Sequence, residues 1–309
     1  MSAASLDEMV AKLKEKGQGH LLDQLPTLSE GHPVFQQLLK FDIAESVRRF
    51  EKATSPEAEA SSMLNSSDPL TPIDHPIVWH ELPADERQAY LSVGWRAIAV
   101  GKVAAVIMSG GQGTRLGYSG PKGCYNMGLP SQKSIFQMHV ERILRVRQLC
   151  ATYCPREEGD NSPPSIPIYI MTSDLNDGTI RRFFQQHSFF GYPEKDVFFF
   201  EQGLEPCFSL DGKVILESPS QGLSLAPDGN GGLYAALYKS LALRDMRQRG
   251  VEHLHVYGID NVLTKSLDPG FLGAAISAGK RGTGTGTGTD AAAGNRTGTR
   301  ARMGTRKGT

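Results

Sequence analysis

Two basic side chains lie within a glycine-rich stretch at residues 106–123, which reads VIMSGGQGTRLGYSGPKG. Glycines in such a stretch let backbone N–H groups approach an anion that a larger side chain would keep away. Arg115 and Lys122 could neutralise the charge of a bound phosphate. The stretch lacks the Gly-Lys-Ser/Thr ending of a Walker A loop, and no acidic residue follows at the spacing of a dinucleotide fingerprint. A glycine-rich tight turn would explain the glycines but not the two cations, so the pattern predicts a phosphate-binding loop of another kind.

Alternating strand and helix patterns from residue 102 onward must position this loop. The apolar run VAAVIM predicts a buried strand, and SIFQMHVERILRVRQL predicts a helix capped by Ser134 with Phe136, Val140 and Ile143 on one face. Further strands are predicted at IPIYIMTS, DVFFFEQ and EHLHVYGID, helices at TIRRFFQQH and LYAALYKSLALRDMRQRG, and a hairpin turned at Asp211-Gly212 in CFSLDGKVIL. This order predicts an α/β fold with a mainly parallel, Rossmann-like sheet, whose ligand site lies at the carboxyl ends of its strands.

Three regions of different composition divide the chain. Residues 1–97 predict an N-terminal helical region, in which Ser5 and Glu8 form a capping box. Residues 98–279 carry the strand and helix alternation and form the predicted nucleotide-binding domain. Residues 280–309 are a low-complexity tail of Gly-Thr repeats with seven basic residues and one acidic residue, which leaves 26 basic and 32 acidic residues in the rest of the chain. The tail has too few apolar side chains to form a core, so we expect it to be disordered.

Composition also limits the location and the partners. No apolar run approaches the roughly 20 residues that a membrane-spanning helix needs, so we expect no membrane partner and a cytoplasmic location. The four cysteines form no C-x-x-C pair, and we expect them to be free thiols. The basic tail could neutralise nucleic-acid phosphates, but it has no aromatic residue that would stack on bases, so we expect no nucleic-acid partner. The sequence indicates no particular oligomeric state.

Four motifs in a fixed order carry a family resemblance. The motifs GGQGTRLG at 110–117, PKG at 121–123, APDGNGGLY at 226–234 and VYGIDN at 256–261 resemble those of the eukaryotic UDP-N-acetylhexosamine pyrophosphorylases. The resemblance implies a GT-A-like nucleotidyltransferase fold and a reaction in which UTP and N-acetylglucosamine 1-phosphate give UDP-N-acetylglucosamine and pyrophosphate. Members of this family are longer, so we expect that the chain is truncated at its C-terminus and that the truncation removes activity.

Charge stabilisation is the main requirement of this chemistry, because the attacking oxygen of a sugar phosphate is already an anion and needs no general base. The resemblance implies catalytic roles for Arg115 and Lys122 and a metal-binding role for Asp260, which ends a strand at the same edge of the sheet. The metal would be Mg²⁺ or Mn²⁺. His253 and His255 alternate along that strand and are expected to be one packed and one exposed residue rather than metal ligands.

Substrate-binding residues are implied by the same resemblance. Gln202 offers the acceptor and the donor that the imide edge of uracil needs, and it corresponds to the family's uridine-binding glutamine. The other residues match family segments near the nucleotide and the sugar, although Ser109 stands where the family usually has alanine. The predicted substrate-binding residues are Met108, Ser109, Gly110, Gly111, Gln202, Gly229 and Asn230.

Two other functions remain open on the sequence alone. Pyrophosphorylases for UDP-glucose or for a range of UDP-sugars share the glycine-rich loop and the lysine, so the residues do not define the sugar. A non-catalytic fragment that binds UTP without turnover would carry the same motifs.

Overall fold

The computed structural model describes residues 5–25, 28–55, 77–154, 163–218 and 222–279, and the predicted disorder of residues 280–309 lies outside these ranges. In the described ranges the helices are α1 (Leu6–Glu15), α2 (His20–Gln24), α3 (Pro33–Leu38), α4 (Ile43–Thr54), α5 (Ala84–Ala99), α6 (Ile135–Tyr153), α7 (Asp177–Gln186), α8 (Gly232–Lys239), α9 (Ala242–Gln248) and α10 (Pro269–Ser277). The strands are β1 (Val103–Met108), β2 (Ile168–Thr172), β3 (Val197–Glu201), β4 (Leu204–Pro206), β5 (Leu216–Ser218), β6 (Gly222–Leu223), β7 (Leu225–Pro227) and β8 (His253–Gly258).

Backbone contacts divide the chain into two units. The N-terminal unit comprises Met1–Thr71 and Glu201–Ser240, and the sheet unit comprises Pro72–Phe200 and Leu241–Thr309. These limits differ from the boundary predicted at residue 97. Helices α1 to α4 share one apolar core with residues from the second segment, including Val214 and Leu223, because short amphipathic helices need another surface on which to bury their apolar faces.

A four-stranded sheet in the order β3-β2-β1-β8 forms the centre of the sheet unit. Strand β1 pairs in parallel with both β2 and β8, and Met108 at its end lies in register with Met171 and Gly258. Parallel strands that are covered on both faces consist of continuous apolar runs, which is the pattern of VAAVIM. This arrangement confirms the predicted α/β fold and brings the carboxyl ends of three strands to one edge.

Helix α6 covers the sheet through the face that the sequence predicted. Its residues Phe136, Val140 and Ile143 are fully buried, and the hydroxyl of Ser134 accepts a hydrogen bond from the Gln137 N–H at 3.2 Å. Helices α5 and α10 pack so closely that a Cβ atom added at Gly94 would lie 1.9 Å from the carbonyl oxygen of Pro269.

The structure corrects one local prediction and confirms another. The helix predicted over residues 233–250 is divided into α8 and α9, because Leu241 has a left-handed backbone with φ 64° that interrupts the helical hydrogen bonds. The hairpin predicted at Asp211-Gly212 turns where expected, with Gly212 at φ 78° and an antiparallel bridge between Phe208 and Val214. The Ser209 N–H donates to the Lys213 carbonyl at 2.8 Å, and the Ile215 N–H donates to the Cys207 carbonyl at 2.9 Å. Strand β5, which follows the hairpin, pairs with β6.

All four cysteines are free thiols, as predicted. In the described part of the chain no helix is long and apolar enough to cross a membrane.

Candidate functional site

The glycine loop, residues 109–121, begins where β1 ends. The Ser109 N–H donates to the Met171 carbonyl at 2.8 Å, and this bond carries the pairing of β1 with β2 one residue beyond the strand. The loop then closes on itself, since the Gly113 N–H donates to the Gly120 carbonyl at 2.9 Å. The loop can close in this way because Gly113 and Gly120, where the backbone lies close to other atoms of the loop, have no side chain.

The glycines of the loop differ in what they leave room for. A Cβ atom added at Gly113 or Gly120 would lie 2.9 Å or 2.7 Å from the ring of Tyr118, so these two glycines accommodate a side chain of the loop itself. The three atoms nearest to a Cβ atom added at Gly111 would be at the end of the Lys122 side chain, at 3.6 to 3.8 Å, which is ordinary contact. Gly111 is also exposed, so its backbone is open to a ligand beside a cation.

Lys122 and Asp260 form an ion pair at this edge of the sheet, with Nζ 3.1 Å from Oδ2. Lys122 lies in the 3-10 turn Lys122–Cys124, and Gly123 allows that turn to approach the ring of Phe136, from which an added Cβ would be only 2.3 Å away. Asp260 follows β8, and the neighbouring Ile259 N–H donates to the Met108 carbonyl at 3.0 Å. The structure therefore brings together the glycine loop, the predicted catalytic lysine and the predicted metal ligand.

Arg115 lies apart from this pair. It sits in the exposed 3-10 turn Thr114–Leu116 and makes no hydrogen bond or ion pair with any residue that the structure describes. Its guanidinium is free to reach an anion, but its position relative to a substrate is not set by neighbouring side chains.

Two supporting residues were missed by the sequence analysis. Asn176 is buried and donates from its side-chain amide to the carbonyls of Ser109 and Gly110. Arg142 on α6 donates to the carbonyls of Val262 and Thr264, in the segment after Asp260. Neither has a sequence signal beyond its type, because an Asn before a helix indicates a cap and an Arg on a helix indicates a solvated cation.

Burial keeps several titratable groups near the site neutral. Burial lowers the pKa of His139 to about 4 and the pKa of His255 to about 4, and His255 Nδ1 accepts a hydrogen bond from the Leu267 N–H at 2.9 Å. His255 is thus the packed histidine of β8, while His253 is half-buried. Burial also raises the pKa of Cys124 to about 12, so this thiol near Lys122 stays protonated and is not a nucleophile.

The remaining predicted residues belong to the N-terminal unit. Gln202 is half-buried just after β3, while Gly229 and Asn230 are exposed in the turn before α8. The Asp228 N–H donates to the Gly203 carbonyl at 3.1 Å, which joins the segment of Gln202 to that turn. Burial and the nearby Glu205 raise the pKa of Asp228 above its ordinary value. The predicted site residues are therefore divided between the two units.

Comparison with known proteins places the chain among nucleotidyltransferases. Residues 72–283 match the family described as UTP–glucose-1-phosphate uridylyltransferase. The chain is 40% identical to UDP-N-acetylglucosamine diphosphorylase 2 of Arabidopsis thaliana over 276 residues, which cover 89% of this chain and 54% of the relative. It is 38% identical to UDP-N-acetylhexosamine pyrophosphorylase-like protein 1 of Xenopus tropicalis, with 90% of this chain and 54% of that protein covered.

A solved structure gives the same result. The uridine diphosphate N-acetylglucosamine pyrophosphorylase of Trypanosoma brucei, in complex with an inhibitor, matches with a TM-score of 0.68 and 28% identity over 90% of this chain and 55% of that chain. The chain spans about half the length of the curated relatives it matches. The resemblance inferred from the four motifs is confirmed, and the chain belongs to the UTP–glucose-1-phosphate uridylyltransferase family.

Proposed function

We propose that this protein joins UTP to N-acetylglucosamine 1-phosphate and releases pyrophosphate, and that it does so in the cytoplasm. The observation that carries the proposal is the placement of Lys122 beside Gly111 at the carboxyl edge of β1, where an open backbone and a cation face the same space. The names of the relatives support the N-acetylated sugar, since those at 38% to 48% identity are described as UDP-N-acetylglucosamine or UDP-N-acetylhexosamine enzymes.

In the proposed reaction the sugar phosphate oxygen attacks the α-phosphate of UTP, a new P–O bond forms, and the bond to the β-phosphate breaks. Both reactants are polyanions, so the protein must reduce their repulsion and stabilise the departing pyrophosphate. Lys122 supplies a cation for this purpose when it exchanges its contact with Asp260 for a phosphate oxygen. Arg115 supplies a second cation from the exposed turn. Gln202, Gly229 and Asn230 keep the uridine and sugar roles that the family resemblance implies.

Asp260 fits a role as one ligand of Mg²⁺ or Mn²⁺. Its carboxylate is 62% exposed and offers hard oxygen donors. The described residues contain no group of three or more His, Cys, Asp or Glu side chains that could hold a metal by themselves. In the proposed site, oxygens of the triphosphate and of water would complete the coordination. When bound, the metal would neutralise charge on the triphosphate. Asp260→Asn should raise the Mg²⁺ concentration for half-maximal rate, and an unchanged concentration would assign the metal to another residue.

The experiment that tests the function separates binding from turnover. Titration calorimetry should show UTP binding by the 309-residue chain. Pyrophosphate release should then be measured for the chain joined to the part of the Arabidopsis relative that lies beyond the match, with N-acetylglucosamine 1-phosphate and with glucose 1-phosphate. Absence of UTP binding would overturn the proposal. A higher kcat/KM for glucose 1-phosphate would favour the second candidate, a UDP-glucose enzyme, which the description of the matched family supports.

A further inference from the structure

Asn176 forms hydrogen bonds through both ends of its side-chain amide, and these bonds join the residues that follow β1 to a residue that follows β2. Nδ2 donates to the Ser109 carbonyl at 3.2 Å and to the Gly110 carbonyl at 3.0 Å, while Oδ1 accepts from the Ser173 N–H at 2.8 Å. The residue is only 1% exposed. Two carbonyls can only accept and an N–H can only donate, so these partners determine the orientation of the amide.

The side chain of Asn176 does not serve its own helix. Asn176 immediately precedes α7, the position where an Asn side chain commonly accepts a hydrogen bond from the first turn, yet it makes no such bond. Helix α7 begins instead with a main-chain bond from the Ile180 N–H to the Asn176 carbonyl at 2.9 Å. The amide therefore acts on the glycine loop, 66 residues earlier in the chain.

The two hydrogen bonds from Asn176 to main-chain carbonyls also orient the two N–H groups in the same peptide planes. In a trans peptide the C=O and the N–H of one plane point in opposite directions. Because Asn176 binds the carbonyls of Ser109 and Gly110, the N–H groups of Gly110 and Gly111 in the same two planes point away from Asn176. Neither N–H donates to any residue within the described ranges. Two adjacent free donors of this kind can each donate to an anionic oxygen.

We infer that Asn176 is a positioning residue that holds the Gly110 and Gly111 N–H groups in place for an oxygen of UTP. This inference rests on the proposed function for the identity of the ligand. The buried amide does not touch the ligand; it removes the freedom that two consecutive glycines would otherwise have, and so reduces the entropy lost when UTP binds.

The test compares two variants with a matched control. Asn176→Asp keeps the shape and the acceptor but replaces both donated hydrogen bonds with a carboxylate facing two carbonyls, and Asn176→Ala removes the amide. Tyr192→Phe is the control, because the buried Tyr192 hydroxyl donates to the Ile166 carbonyl at 2.5 Å, before β2 and at the other end of the same strand. This control removes one buried bond to a main-chain carbonyl without touching the glycine loop.

Both Asn176 variants should weaken UTP binding in calorimetry by about tenfold to a hundredfold, and Tyr192→Phe should change it less than about twofold. Hydrogen exchange of the amides of residues 107–113 should become faster in the Asn176 variants only. If tripolyphosphate binding weakens in parallel, the oxygen belongs to the phosphates; if UTP binding alone weakens, it belongs to uracil. Both results support the positioning role.

An Asn176→Asp protein with wild-type UTP affinity and wild-type exchange in the loop would overturn the inference. If Asn176→Asp does not fold because its buried carboxylate is unpaired, Asn176→Ala decides the question by the same two measurements, because it removes the amide without adding a charge. If the wild-type chain binds no UTP, the proposed function fails, while exchange in the loop still shows whether Asn176 holds it.

Discussion

The two glycine-rich loops of this chain use their glycines for different purposes. In the glycine loop of the sheet unit, Gly111 leaves space beside the Lys122 side chain, and that space is open. In the turn at residues 228–232 of the N-terminal unit, the space is filled by the protein's own carboxylate. A Cβ atom at Gly232 would lie 2.0 Å from Asp228, and a Cβ atom at Gly203 would lie 2.2 Å from it.

This difference predicts which loop can receive a phosphate. A carboxylate held at the start of α8 repels anions there, whereas a lysine beside free N–H groups attracts them. Glycine content alone therefore does not indicate phosphate binding, because glycine makes room for whatever approaches it. The two loops differ in the charge beside their glycines, which is positive at Gly111 and negative at Gly232.

The largest expected effect is on the rate. Lys122→Ala should lower kcat by on the order of 10²–10³ in the form of the protein that carries the activity and raise the KM for UTP much less, because the lysine acts on charge that develops during transfer. Lys102→Ala is the matched control, since Lys102 pairs with Glu252 at 2.9 Å at the opposite ends of β1 and β8. Steady-state kinetics measure both. A kcat within about threefold of wild type would remove Lys122 from the mechanism.

Acid should destabilise the sheet unit through its buried histidines. The pKa values of His139 and His255 fall from 6.5 to about 4 on folding, so between these pH values the unfolded chain binds more protons than the folded chain. The free energy of unfolding should therefore decrease as the pH falls, by about 2 kcal/mol per histidine at about pH 4.5. Urea unfolding at pH 7 and pH 4.5 measures this loss. A His139→Gln variant with an unchanged pH dependence would contradict it.

The two loops should respond differently when a methyl group is added. Gly111→Ala should leave the free energy of unfolding within about 0.5 kcal/mol but weaken UTP binding about tenfold, since the methyl group meets the ligand rather than the protein. Gly232→Ala should lower the free energy of unfolding by about 1–2 kcal/mol, because its methyl group displaces the Asp228 carboxylate.

A double-mutant comparison isolates this contact. In an Asp228→Ala background the penalty of Gly232→Ala should disappear, because the displaced group is gone. An equal loss of unfolding free energy in both backgrounds would mean that the penalty of Gly232→Ala does not come from displacement of the Asp228 carboxylate.

The smallest expected effect concerns the charge of Asp228. Its pKa is raised on folding, first by burial and then by Glu205, so folding favours the protonated form. The contribution of this group to stability is complete below pH 3.8, its ordinary pKa, and is lost as the pH rises through the raised value. Asp228→Asn should therefore increase the free energy of unfolding at pH 7, with a difference that shrinks as the pH approaches 3.8. Urea unfolding at both pH values measures this difference. If Asp228 stabilised the fold as a carboxylate, Asp228→Asn would instead decrease the free energy of unfolding at pH 7.

The sequence by itself determined the local elements and the position of the loop. Apolar runs, the Ser134 cap and the glycines at 110–113 act through the backbone and through neighbours a few residues away, so their pattern was sufficient to predict strand β1, helix α6 and the loop between them. The family motifs identified Lys122 and Asp260 for the same reason, since each belongs to a short contiguous segment.

Only the tertiary structure decided which of these segments meet. The contact of Lys122 with Asp260 spans 138 residues, and it exists because β1 pairs with β8 on one side and with β2 on the other. The same strand order brings Asn176, after β2, to the carbonyls after β1. Hydrophobic periodicity predicts which face of a strand is buried but not which strand lies beside it, because the order depends on the packing of the whole sheet.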